Sequence, residues 1–268
     1  MGIAALGIIV AAALSAAMAL AWGLQQATRA SGWVDTCWSF AMGLGGVAVA
    51  LVPLNGQDAA SPRQVLVGTL IFLWSARLGT HIALRTRGAG DDPRYAQLTQ
   101  DWGAAAPRRM FWFLQAQAVA AALLMVPLYL AARNPAPGLG IPDVLGTLVL
   151  LAAVLGEGLA DAQLARFRRT GGHGKVCDTG LWRWSRHPNY FFEWLGWLAY
   201  PCFALAPGPD GVWPWGWLAF GGPAIMYWLL VHVSGIPHLE AHMARSRGAA
   251  FADYQRRTSA FFPLPPKG

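Results

Sequence analysis

The sequence predicts an all-α polytopic membrane protein, a seven-transmembrane-helix bundle in a single domain (1–268), on three observations. Apolar residues make up 55% of the chain and charged residues only 12%, about half the charged share of an average soluble domain. Apolar windows long enough to cross a hydrocarbon layer, which takes about 20 residues, recur at 2–26, 33–53, 64–84, 110–131, 141–160, 190–207 and 213–233. The basic residues also segregate. With the N-terminus outside, the cytoplasmic segments are 27–32, 85–109, 161–189 and the tail from 234. Of 20 Lys and Arg, Arg63 and Arg133 fall outside and Arg77 lies within a span, leaving seventeen on the cytoplasmic side. That is the positive-inside bias, and moving the count by one span destroys it.

The same topology accounts for the net charge of +7, which in a soluble protein would suggest nucleic acid. No nucleic-acid partner is therefore expected. Fourteen Trp suit membrane interfaces, where indole rings gather. Cys37, Cys177 and Cys202 show neither a pairing pattern nor metal spacing, so no metal is expected. The first span is apolar from Gly2 to Trp22 without a basic leader, and reads as a spanning helix rather than a cleaved signal.

The second and third spans carry groups that do not belong in oil. S-G-W-V-D-T-C-W-S-F holds Asp35, Trp38 and Ser39, and L-W-S-A-R-L-G-T-H holds Trp74, Arg77 and His81. Asp35 and Ser39 are four apart, as are Arg77 and His81, so each pair shares a helix face. Two readings stand. Asp35 and Arg77 pin two helices together, or these groups line a cavity and touch the polar end of a ligand. Gln115 and Gln117 in the fourth span could join them.

The 85–109 segment, R-T-R-G-A-G-D-D-P-R-Y-A-Q, reads either as a solvated basic loop or as a phosphate clamp using Arg94 and its neighbours, beside Tyr95. The fifth span leaves the membrane as E-G-L-A-D-A-Q-L-A-R-F-R-R-T-G-G-H-G-K, with Glu157 and Asp161 one turn apart, then Arg168 and Lys175 around a Gly-rich run. That run is neither a Walker loop nor a dinucleotide fingerprint between strand and helix. Next comes W-S-R-H-P-N-Y-F-F-E, in which Pro188 opens a helix and Asn189 and Glu193 lie one turn apart. Arg186, His187, Asn189, Tyr190 and Glu193 are too dense a polar set, at a membrane surface, for packing alone. In the tail, an amphipathic segment, Glu240, His242 and Tyr254 are placed to close over a ligand, while Arg256 and Arg257 can anchor at anionic lipid.

The pattern from Asp161 through R-H-P-N-Y-F-F-E to D-Y-Q-R-R-T-S-A-F-F-P resembles the steroid 5α-reductase family, in particular its bacterial members, over roughly 145–268. Motifs of this type also occur in sterol C14 reductases and isoprenylcysteine carboxyl methyltransferases. The resemblance implies a seven-helix bundle in which 1–135 mainly form the substrate cavity and 136–268 mainly hold NADPH. It places acidic and amide cofactor contacts on Glu157, Asp161, Asn189 and Glu193, and basic ones on Arg168 and Lys175. Arg186, His187, Tyr190, Arg94, Tyr95 and the tail residues Glu240, His242 and Tyr254 complete that cofactor set. In the other half, Asp35 and Arg77 are the catalytic candidates, with Trp38, Ser39, Trp74, His81 and Gln115 at the substrate. Trp74 stands near where the mammalian enzymes carry a Tyr.

The implied reaction is NADPH-dependent reduction of a C=C bond in a 3-oxo-Δ4 steroid or similar lipid enone. Hydride goes to the β-carbon, and a carboxyl group kept neutral by apolar surroundings can donate to the developing enolate oxygen. The alternative is a lipid or prenyl-cysteine methyltransferase using S-adenosylmethionine; the basic set of Arg168, Arg169 and Lys175 speaks against it, since that cofactor carries no phosphate. A transporter would more often show broken helices and internal repeats, neither of which is visible in the sequence. The expected setting is the bacterial inner membrane, with membrane lipid and a lipid-like substrate as partners and no obligate protein partner.

Overall fold

The computed structural model describes residues 1–54, 56–57, 59–88, 92–172 and 174–267. Asp91, and the His173 of the Gly-rich run, lie outside these. The protein is helical, and no strand forms among the described residues. The helices are α1 (Ile3–Thr28), α2 (Gly32–Leu51), α3 (Pro62–Gly88), α4 (Pro93–Trp102), α5 (Ala106–Ala132), α6 (Ile141–Phe167), α7 (Pro188–Trp197), α8 (Ala199–Ala204), α9 (Gly221–Trp228), α10 (Ile236–Arg247) and α11 (Ala249–Arg257).

Six helical runs are long and apolar enough to cross a membrane: Ile3–Thr28, Gly32–Leu51, Pro62–Arg87, Arg94–Ala132, Ile141–Gly172 and Pro214–Arg247. They match six of the seven expected windows. The remaining window, 190–207, is built as α7 and α8 with a break at Leu198, whose N–H bonds back to Leu195 by a tightened turn. The run Pro214–Arg247 spans 34 residues, roughly 50 Å of helix against about 30 Å of hydrocarbon. Its apolar part ends at Val233. A wide turn over Leu229–Val233 and a break at Gly235 then lead into α10, whose charged residues lie beyond the span. The 85–109 segment is not the loop that its charge suggests. α3 continues to Gly88, and Asp92 caps α4 by accepting the N–H of Arg94, with Pro93 in the first turn.

The chain forms two compact units, Met1–Val144 with Tyr200–Gly221, and Leu145–Ala199 with Gly222–Gly268. In the first, α2 packs on α1, α3 and α5. The α2–α3 contact is close because Gly43 has no side chain: a Cβ there would stand 2.0 Å from Ser75 Oγ. Ser75 donates to the carbonyl of Ser39, across the two helices, at 2.9 Å. Outward faces carry exposed Leu20, Leu44 and Ile141, over 70% exposed or close to it in each case, as lipid contact requires.

The two basic residues that break the charge segregation are explained here. Arg63 is 3% exposed and forms a two-pronged ion pair with Asp143, at 2.7 and 2.9 Å. Its remaining N–H groups reach the carbonyls of Asn134, Ala136 and Gly138. Arg133 donates to the carbonyls of Val49 and Val52, which close the C-terminus of α2. Both act as structural clamps on backbone carbonyls at or just beyond helix ends.

Candidate active site

The R-H-P-N-Y-F-F-E motif sits in the second unit, held from below by α6. Trp182 donates its indole N–H to the carbonyl of Ala160 at 2.9 Å, and Gln163 accepts the N–H of Leu181 at 2.9 Å. These contacts fix the short turn Gly180–Arg183 before the motif. His187, with φ −135° and ψ 60°, lies outside the helical region, as the residue before a proline tends to, and Pro188 opens α7.

Arg186 is consumed by the protein. Its Nε and Nη2 bind the two carboxylate oxygens of Glu240 at 2.7 and 3.1 Å, and Nη1 reaches the carbonyls of Gln255 and Thr258. Gln255 adds a third donor to Glu240 at 2.9 Å. Tyr254 donates its phenol to the carbonyl of Trp182. Arg186, Glu240 and Tyr254 therefore join the tail to the motif, a different task from the ligand contacts that the sequence suggests. Burial alone would raise the Glu240 pKa, but hydrogen bonds from His187, Arg186 and Gln255 bring it down to about 2. Burial pushes the Tyr254 phenol up.

His187 is the exception in this network. Its ring is 3% exposed and stacks on Tyr190 with 5.6 Å between centroids. Nε2 lies 3.1 Å from Glu240, whose carboxylate can only accept, so Nε2 carries the proton. Nδ1 is buried and has no hydrogen-bond partner among the described residues. Burial lowers the His187 pKa, against the pull of Glu240, and leaves the neutral ring with a lone pair on Nδ1. Buried polar atoms without partners are uncommon, and each calls for an explanation.

The same unit holds several other predicted residues. Asn189 donates to Asp161 at 3.4 Å, joining α7 to α6. Glu193, 9% exposed, accepts the indole N–H of Trp197, and Glu157 is buried on α6. α6 ends in a wide turn at Arg168–Gly172. Arg168, Arg169, Lys175 and Arg183 are exposed in that region, and the last three form no ion pair among the described residues. His242 is half-buried on α10.

A second polar cluster lies in the first unit. Asp35 on α2 is gripped from α4: Arg94 pairs with Oδ2, and Tyr95 donates its phenol to Oδ1 at 2.8 Å. Gln117 approaches the phenol oxygen at 3.4 Å, and Asp92 holds Arg94 from behind through two 3.0 Å bonds. Tyr95 is 4% exposed. Arg94 and Tyr95, which the sequence suggests for a cofactor, thus stand at Asp35. Trp74 is buried, and Trp38, Arg77 and His81 are half-buried. The Ser39 hydroxyl bonds the carbonyl of Asp35 at 2.8 Å. Gln115 exchanges hydrogen bonds with Ser15 of α1, which makes it glue between α1 and α5.

A family model described as "Protein of unknown function (DUF1295)" matches residues 21–258. The chain belongs to this family. DUF1295 relates to steroid 5α-reductase-like proteins, in agreement with the motif that carries the resemblance. Among curated proteins, an uncharacterised protein of Schizosaccharomyces pombe is 27% identical over 271 residues, covering 90% of this chain and 75% of its own length. No solved structure matches. The DUF1295 match reaches back over α2, α4 and α5, so the Asp35 cluster falls inside the family region along with the motif. The Asp35–Tyr95 bond leaves no signal in the sequence. The two residues are 60 apart, and no periodicity links them.

Proposed function

We propose that this protein is an integral-membrane, NADPH-dependent reductase of the C=C bond of a lipid enone, with a 3-oxo-Δ4 steroid as the model substrate. One observation carries the reading: the motif holds a buried His187 ring whose Nδ1 has no partner among the described residues, two positions before the Asn189 that bonds Asp161. The fit to a phosphorylated dinucleotide lies in the donor set. Nδ1 can accept from a hydroxyl or carboxamide, Asn189 and Asp161 can exchange hydrogen bonds with ribose, and Arg169, Lys175 and Arg183 match phosphate. Arg186, Glu240 and Tyr254 hold the frame. The bound nicotinamide would supply the hydride.

The Asp35 cluster suits the carbonyl end of the substrate. Reduction places negative charge on the enone oxygen, so the chain needs a donor aimed there. In the resting structure the Tyr95 phenol gives its one proton to Asp35; in this reading it exchanges that bond for one to the enone oxygen when substrate enters, while the Arg94 guanidinium supports the charge. Tyr95 supplies the phenol that Trp74 does not. The seven-span topology, with the N-terminus outside and the tail in the cytoplasm of a bacterial inner membrane, is part of the same reading. In it, α7 and α8 together make a broken sixth crossing.

The test is cofactor identity. Detergent-solubilised protein is titrated with NADPH, NADH and S-adenosylmethionine. NADPH should bind in preference, and Asn189→Ala should weaken it about tenfold, the usual cost of a lost buried hydrogen bond. Binding of S-adenosylmethionine instead moves the protein to methyl transfer, and binding of none removes the reductase reading.

A further inference from the structure

We propose that the basic end of α5 is a binding site for one anionic phospholipid, with the lipid phosphate held by Arg108 and Arg109. Besides Pro107 and Arg109, the exposed residues of α5 run Arg108, Trp112, Ala116, Val119, Leu123 and Val126. These follow one helical stripe, and it reads from charge through indole to pure hydrocarbon. A phospholipid has the same order from headgroup to interface to acyl chain.

The stripe begins in a depression of about 680 Å³ lined by Ala104, Ala105, Arg108, Arg109 and Trp112. Gly103, with a φ of 51°, turns the chain between α4 and α5. The two alanines that follow keep the wall shallow. Trp112 is 63% exposed at the mouth, and Phe111, packed edge-on between Trp112 and Trp22, steadies it. Trp22 in turn donates to the carbonyl of Pro107 at 2.9 Å, tying α1 to the start of α5. Neither Arg108 nor Arg109 forms an ion pair among the described residues, although Arg94 one helix earlier is tied to two carboxylates. Two unneutralised guanidinium groups beside a lipid-facing indole are complementary to a phosphate that carries net negative charge. The apolar stripe runs on from the basic depression without a break, so a headgroup held there keeps its acyl chains on the same helix face, which favours a lipid over a free phosphate.

Native mass spectrometry of the delipidated full chain tests this with phosphatidylglycerol, phosphatidylcholine and inorganic phosphate as probes. Phosphatidylglycerol should bind at one saturable site. Arg108→Ala/Arg109→Ala should weaken it about ten- to thirtyfold, as two juxtamembrane charges predict. Arg256→Ala/Arg257→Ala should leave it within about twofold, because Asp253 already pairs with both guanidinium groups and takes them out of the lipid-anchoring task that their sequence suggests. Phosphatidylcholine should bind poorly to every form. The proposal is overturned if the α5 variant binds phosphatidylglycerol like the unaltered chain, or if the tail variant loses as much. It is also overturned if millimolar inorganic phosphate displaces the lipid, which would make the site one for a soluble anion.

Discussion

Glu240 and His187 give the motif a pH dependence whose sign can be worked out. Glu240 has a folded pKa of about 2 against an ordinary 4.5. Its contribution to stability is complete above 4.5 and is lost as pH falls from there towards 2. His187 is depressed by burial, so the unfolded chain takes up its proton first and stability starts to fall below about 6.5. Acidification should therefore loosen the tail in two stages. Hydrogen exchange in α11, corrected for intrinsic rate, should show both in the native chain, whereas Glu240→Gln should lower protection at neutral pH and abolish the more acidic stage. Identical acid profiles for the two forms would remove Glu240 from that role. At Asp35, chemistry and packing separate in the same way. Asp35→Asn and Tyr95→Phe should each keep NADPH affinity while turnover of a 3-oxo-Δ4 steroid falls by ~10²-fold or more, as for loss of an oxyanion donor. Normal turnover with a lowered melting temperature would make the cluster a helix pin. The motif residues were legible because they crowd eight positions at a membrane edge. What they bind was not, since Arg186 and Glu240 are 54 positions apart and their mutual bond leaves neither for a ligand.

The helices themselves were readable wherever apolar length decides the outcome, which covers α1, α2, α3, α5 and α6. α4 was not, because a 10-residue polar helix is stabilised by its cap and by docking on α5 rather than by a hydrophobic window. Glycine inside a span was equally silent. In sequence it reads as a break or as a close approach, and only the partner helix tells which. Gly43 is a close approach: a Cβ there would lie 2.2 Å from the Cβ of Ser75, and small residues at membrane helix contacts let backbones meet in this way. Gly43→Ala should lower stability by about 1–3 kcal/mol through overpacking. Ser75→Gly in the same chain should return most of that loss, because it vacates the volume that the new methyl needs. Thermal melting of the single and double variants measures both steps. If Gly43→Ala melts like the unaltered chain, α2 and α3 do not approach as closely as their contact at Ser75 implies.

For the whole molecule, the question is whether the stretch from Pro188 to Ala204 crosses the membrane. Six runs are long enough alone, and an even count would put both ends of the chain on one side. α7 and α8 cover 10 and 6 residues, so neither crosses alone. At about 1.5 Å per residue their combined length amounts to roughly 25 Å of helical rise, close to the hydrocarbon thickness. Broken helices are tolerated at that depth where the freed backbone groups find partners, and here the N–H of Leu198 bonds to Leu195 and that of Leu205 to Pro201, both at 3.0 Å. Charge points the same way. The segment 161–189 and the tail from 234 are both rich in Arg, and only an even number of crossings between them keeps the two on one side. The run from Pro214 supplies one crossing, so the proposed topology needs the other from α7–α8. A reporter fused after Lys267 should then be cytoplasmic and one inserted near Pro135 periplasmic. If α7–α8 lies in the interface instead, the tail falls on the same side as Pro135, and both reporters give the same reading.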